Sequence, residues 1–124
     1  MVFFRRQRFA AASELLRRDD LTNVTAFHCQ QAVEKYLKAF MVANGMPVIK
    51  IHDLVKLNKL ICPIKNFELD NDILDLLSQL YTDERYPGGL GILPDGIPDK
   101  NEAEKFYSFA KEVETKIKNA IGID

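Results

Sequence analysis

The chain has 124 residues, of which 47% are hydrophobic and 28% charged; this is the apolar content of a single packed domain spanning residues 1–124 and excludes a disordered tail. Its 17 basic and 18 acidic side chains nearly cancel, which excludes a protein that coats long duplex nucleic acid through a general positive field. No apolar run approaches bilayer length, and Met1 to Arg8 lacks the apolar stretch of a secretory signal, so the expected compartment is the cytoplasm, with no membrane partner.

From about Phe3 to Arg18, the residues Phe4, Ala11, Leu15 and Arg18 form one stripe, with Ala12 and Leu16 beside it, and a first helix is predicted there. Arg5, Arg6, Arg8, Arg17 and Arg18 make this end locally basic, a pattern that suits either a solvated helix face or a contact with phosphates. Asp19 and Asp20 interrupt the pattern. Thr22 or Asn23 is the expected cap of a second helix reaching Asn44, with Ala26, Cys29, Val33, Leu37, Phe40 and Met41 as its apolar stripe. Gln31, Glu34, Lys35 and Lys38 lie off that stripe, and Gly45 and Pro47 end the helix.

A third helix is expected to open at His52 or Asp53, carrying Leu54, Leu57, Leu60 and Ile61, with Pro63 limiting its length. Asp70 is a good cap for a fourth, through Ile73, Leu74, Leu77, Leu80 and Tyr81. The prolines and glycines between Pro87 and Pro98 predict a long loop. Asp99 and Glu102 then form a capping-box pattern ahead of a long last helix through Ala103, Phe106, Ala110, Val113, Ile117 and Ile121. Period-two alternation is missing throughout. The predicted fold is all-α, an antiparallel up-and-down four-helix bundle with one additional short helix.

Cys29 and Cys62 stand far apart and read as buried thiols rather than a redox or metal pair; no cluster has metal-ligand spacing, and no cofactor is expected. His28, between Phe27 and Cys29, reads as a core-edge histidine. The Pro87-Gly88-Gly89-Leu90-Gly91 loop lacks the lysine and hydroxyl residue of a phosphate-binding P-loop and reads as a turn or lid.

The stretch Phe27-His28-Cys29-Gln30-Gln31-Ala32-Val33-Glu34-Lys35-Tyr36-Leu37-Lys38-Ala39, then His52-Asp53-Leu54, then Arg85-Tyr86-Pro87, resembles in order and spacing the signature of the HEPN family. The resemblance implies a nucleotide- or RNA-binding subunit, the partner of a small nucleotidyltransferase in a toxin-antitoxin-like module, and self-association as a homodimer. It implies a nucleotide or phosphate site at His52, Asp53, Arg85 and Tyr86, with Gln31, Glu34 and Lys38 lining a polar cleft or dimer face. The family's ribonuclease branch carries an arginine followed after four to six residues by a histidine. That motif is missing here, since the only histidines are His28 and His52 and neither has such an arginine upstream.

Two other functions stand beside the binding subunit. One is a metal-independent endoribonuclease with a non-standard site, in which His52 exchanges the proton, Asp53 orients it or caps the helix, and Arg85 holds phosphate. The other is a non-catalytic dimerising module, in which His52-Asp53 only starts a helix, Arg85 only secures a turn, and the Glu34 to Lys38 pair is a surface salt bridge.

Overall fold

The computed structural model describes residues 21–80 and 98–122. These residues form four helices and no strand: α1 (Thr22–Ala43), α2 (Leu54–Ile61), α3 (Asn71–Ser78) and α4 (Lys100–Ile121). The predicted first helix, the segment holding Arg85 and Tyr86, and the glycine-rich loop up to residue 97 lie outside the described residues.

Each described helix starts or stops for a local reason. The α1 C-terminus closes in a Schellman arrangement, in which Met46 N–H donates to the Met41 carbonyl and Gly45 N–H to that of Val42, with Gly45 at φ +79°. Asp53 and Asp70 cap α2 and α3 by accepting from the second and third amides beyond them. Asp99 and Glu102 form a complete capping box on α4, which ends at Gly122 in the left-handed region. The start of α1 departs from expectation. Leu21 is the cap residue and makes no side-chain bond, while the Thr22 hydroxyl donates across the bundle to the Pro98 carbonyl at 2.6 Å.

That bond places the beginnings of α1 and α4 together. Further along both helices Tyr36 meets Glu114, and near their far ends the Phe40 ring and the Lys116 ammonium both meet Phe67. The two long helices therefore run in the same direction. From Phe67 the chain turns into α3, which runs back against α1 until Ser78 reaches the start of α2, where its hydroxyl accepts from Leu54 N–H at 2.8 Å. Thus α2 and α3, eight residues each, pair as a small hairpin.

The core is built on the stripes read from the sequence, with Ala26, Val33, Leu37, Leu54, Leu57, Leu74, Leu77, Ala110, Val113 and Ile117 wholly buried. Phe67, Leu69 and Phe109 join it from outside those stripes, and Ile121 is half-buried. Leu60 is 42% exposed while Asn58, one residue outside the predicted stripe, is buried. α1 is buried over more than its apolar stripe, taking in Gln30, Glu34 and Tyr36, because α2, α3 and α4 all pack on it. Among the described residues, the large exposed hydrophobics are Val42, Val48, Leu60 and Ile64, none of them on α4. No described helix is long and apolar enough to cross a membrane.

Candidate functional site

Helical spacing sets Gln30, Glu34 and Lys38 in a column along α1, one turn apart, with Gln31 beside Gln30. The column lies where the chain enters α2, so it is covered rather than solvated: Gln30 is 0% and Glu34 8% exposed. Burying a carboxylate and a carboxamide is costly unless their polar atoms are bonded, and here they are. Gln31 Nε2 donates to Gln30 Oε1 at 2.6 Å, and Gln30 Nε2 donates to Glu34 Oε1 at 3.1 Å. The other carboxylate oxygen receives Lys38 Nζ at 3.2 Å and lies 3.1 Å from His52 Nδ1. Glu34 is thus the hub that joins α1 to the start of α2.

His52 is positioned from the other side by the capping of α2. Asp53 Oδ1 accepts from Val55 and Lys56 N–H at 2.9 and 3.2 Å, and the Ser78 hydroxyl takes Leu54 N–H while donating to the Leu74 carbonyl. The amides of Leu54, Val55 and Lys56 are all engaged, so an anion at this helix start would meet side chains rather than those backbone donors. The His52 ring itself is 38% exposed and lines an open pocket of about 260 Å³ with Asp53, Asp75, Ser78 and Gln79. One edge of the imidazole therefore meets a buried carboxylate while its body borders solvent-accessible space. A group so held can hydrogen-bond a ligand or exchange a proton with it.

The structure thus brings together four of the residues singled out from the sequence, His52, Glu34, Lys38 and Gln31, with Asp53 adjoining them as a cap. Of the two roles open to Asp53, the structure shows the cap; the carboxylate bonded to His52 Nδ1 is Glu34. Gln31 donates to Gln30 in this cluster. The Glu34 to Lys38 pair is part-buried, with the carboxylate covered and the lysine half-buried. Arg85 and Tyr86 lie outside the described residues. Gln30 was missed because it sits against an apolar stripe in a run where polarity suggested solvent; its spacing of one turn before Glu34 was the available signal. The pocket residues Asp75, Ser78 and Gln79 carried none, since their nearness to His52 follows from the α2–α3 hairpin. Among the described residues, no three His, Cys, Asp or Glu side chains gather as a metal site.

A second carboxylate cluster lies between α1 and α4. Glu114, 8% exposed, accepts from Tyr36 Oη at 2.8 Å and from Lys111 at 3.1 Å, with Lys118 at 3.8 Å. Burial pushes its carboxyl upward, but the hydrogen bonds from Tyr36 and Lys111 and the charges of Lys111 and Lys118 together outweigh this, and the net displacement is below the ordinary 4.5. Cys29 is 1% exposed, and burial pushes its thiol up to about 12, as expected for an inert core residue. Cys62, at the end of α2, is half-buried. His28 is half-buried with its ring edge-on to Phe27, at the edge of the core.

Comparison with known families finds a match to the HEPN domain over residues 5–120, nearly the whole chain. No curated protein and no solved structure matches it. The chain belongs to the HEPN domain family, which ties it at the coarsest level to nucleotide- or RNA-related function.

Proposed function

We propose that this HEPN domain is a nucleotide- or RNA-binding subunit whose ligand is met at His52 and Lys38, with the open pocket beside His52 receiving part of it. One observation carries this reading: a lysine and a partly exposed histidine converge on a single buried carboxylate, and the same histidine lines the pocket. A cation and an imidazole held by a fixed counter-charge are pre-oriented to meet a phosphate with little loss of side-chain freedom. Glu34 and Gln31 serve as support, Asp53 as the cap that sets His52 in place, and Arg85 and Tyr86, from the Arg85-Tyr86-Pro87 motif, as further phosphate and base contacts. The partner is a small nucleotidyltransferase in a toxin-antitoxin-like module, and the subunit acts in the cytoplasm as a homodimer; these parts of the proposal rest on the family resemblance.

The test is a thermal-shift titration with ATP, other nucleotides and short single-stranded RNA, run on the wild type and on His52→Ala, Lys38→Met and Arg85→Ala. A ligand that binds only the folded protein raises stability by about 2.7 kcal/mol at a hundredfold excess over Kd. A shift in the wild type that is lost in variants that remain folded supports the reading. No shift at millimolar concentrations of any of these ligands refutes it.

A second reading is favoured by the Glu34 to His52 contact, because a histidine held by a carboxylate is also the arrangement of a proton-transfer group. In that reading the chain is a metal-independent endoribonuclease with a non-standard site. RNA cleavage by the wild type that disappears in His52→Ala would establish it, and binding without cleavage would reject it.

A further inference from the structure

The Glu34 carboxylate is surrounded by donors: Gln30 Nε2 on one oxygen, Lys38 Nζ on the other, and His52 Nδ1 3.1 Å from that second oxygen. A carboxylate only accepts hydrogen bonds, so the Nδ1 atom facing it is the one that carries hydrogen. In the neutral imidazole this leaves the lone pair on Nε2. We propose that Glu34 is the positioning residue of the site: it holds His52 in the Nδ1–H tautomer and fixes the orientation of the ring beside the pocket.

The surroundings of Glu34 support this assignment. Besides His52, its contacts come from the turns before and after it on α1, and Gln30, wholly buried and itself held by Gln31, leaves the carboxylate little freedom to rotate. Charged groups about the ring include Lys38 on α1, adjacent Asp53, which accepts the α2 amides, and Asp75 across the pocket on α3. Of these, Lys38 shares the Glu34 oxygen with the His52 ring. An anionic ligand would then meet the Lys38 ammonium and the His52 imidazole together. This assignment of roles rests on the proposed nucleotide site, but the tautomer does not, and the test separates the two.

The experiment is ¹⁵N NMR of the ring nitrogens in ligand-free, histidine-labelled protein at about pH 8.5, above the ordinary range of histidine titration. The chain has two histidines, and His28→Ala assigns the signals. The expected result is a protonated Nδ1 and an unprotonated Nε2 for His52, with Glu34→Gln moving the population towards Nε2–H because a carboxamide can donate as well as accept. Wild-type His52 found as Nε2–H overturns the proposal, and this reading needs no variant to fold. An unchanged tautomer in folded Glu34→Gln also overturns it. With ATP as the probe, Glu34→Gln should weaken binding by about tenfold while Glu34→Asp, which keeps the charge, restores part of it. ATP binding in the wild type that is equal in folded Glu34→Gln overturns the positioning role. Failure of wild-type protein to bind any nucleotide or RNA sinks the proposed function instead, and leaves the tautomer result standing.

Discussion

Tyr36→Phe removes the hydrogen bond that Tyr36 donates to Glu114 between the two long helices. The Tyr36 side chain is 2% exposed and its hydroxyl donates to Glu114 Oε2 at 2.8 Å, so the substitution removes one oxygen and leaves the ring packing intact. Hydrogen bonds to charged groups contribute about 1.5–3 kcal/mol, against about 1 kcal/mol for neutral pairs. Lys111 and Lys118 still neutralise Glu114, but the Lys111 side chain is 46% exposed and its pairing contributes little to stability. The expected loss is therefore about 2 kcal/mol near neutral pH. Urea unfolding measures it as a lower midpoint with an unchanged slope.

The pH dependence gives the sign an independent check. The folded-state value of Glu114 lies below its ordinary 4.5, so its contribution is fully present above that value and is lost as pH falls through the lower folded value. The difference between wild type and Tyr36→Phe should accordingly narrow as the pH falls below that range. A loss under about 0.5 kcal/mol at pH 7, or a difference that grows on acidification, would refute the reasoning.

Two further outcomes follow from the same geometry. Asp53→Ala should cost about 1 kcal/mol through loss of the α2 cap, whereas Asp53→Asn, also a good cap, should retain both stability and nucleotide binding; a selective loss of binding in Asp53→Asn would show that Asp53 itself touches the ligand. Thiol labelling of native protein at mildly alkaline pH should modify Cys62 and spare Cys29, whose thiol is buried and raised to about 12, with both reacting once the chain is unfolded; rapid native labelling of Cys29 would contradict the packing of α1.

Much of the fold could be read from the sequence because helix limits and core faces are local properties. The capping box at Asp99, the caps at Asp53 and Asp70, and the stop at Gly45 are set by residues within a few positions of one another, and the buried stripes of α1 and α4 repeat at helical period. The departures come from partners distant in sequence. Thr22 resembles a cap until Pro98 is placed opposite it, and Asn58 resembles a solvent residue until α2 is packed on its neighbours. The site divides in the same way. The Glu34 to Lys38 spacing and the His52-Asp53 pair were visible separately, but that Glu34 rather than Asp53 meets the imidazole depends on where the loop after α1 returns.

The two buried carboxylates on the long helices differ in what surrounds them. Glu114 is held by a tyrosine from the neighbouring helix and two lysines of its own, and joins elements whose apolar faces are already packed. Glu34 is held by two buried or half-buried side chains of its own helix, and joins them to a histidine that borders an open pocket. If both clusters only fixed helix packing, Tyr36→Phe and Glu34→Gln would each lower stability, and neither would alter ligand affinity. A site at Glu34 requires dissociation of these effects: Tyr36→Phe shifts the urea midpoint and leaves ATP affinity unchanged, while folded Glu34→Gln alters affinity and tautomer together. Stability and binding measured on the same pair of variants therefore distinguish a structural carboxylate from one that orients a reactive side chain.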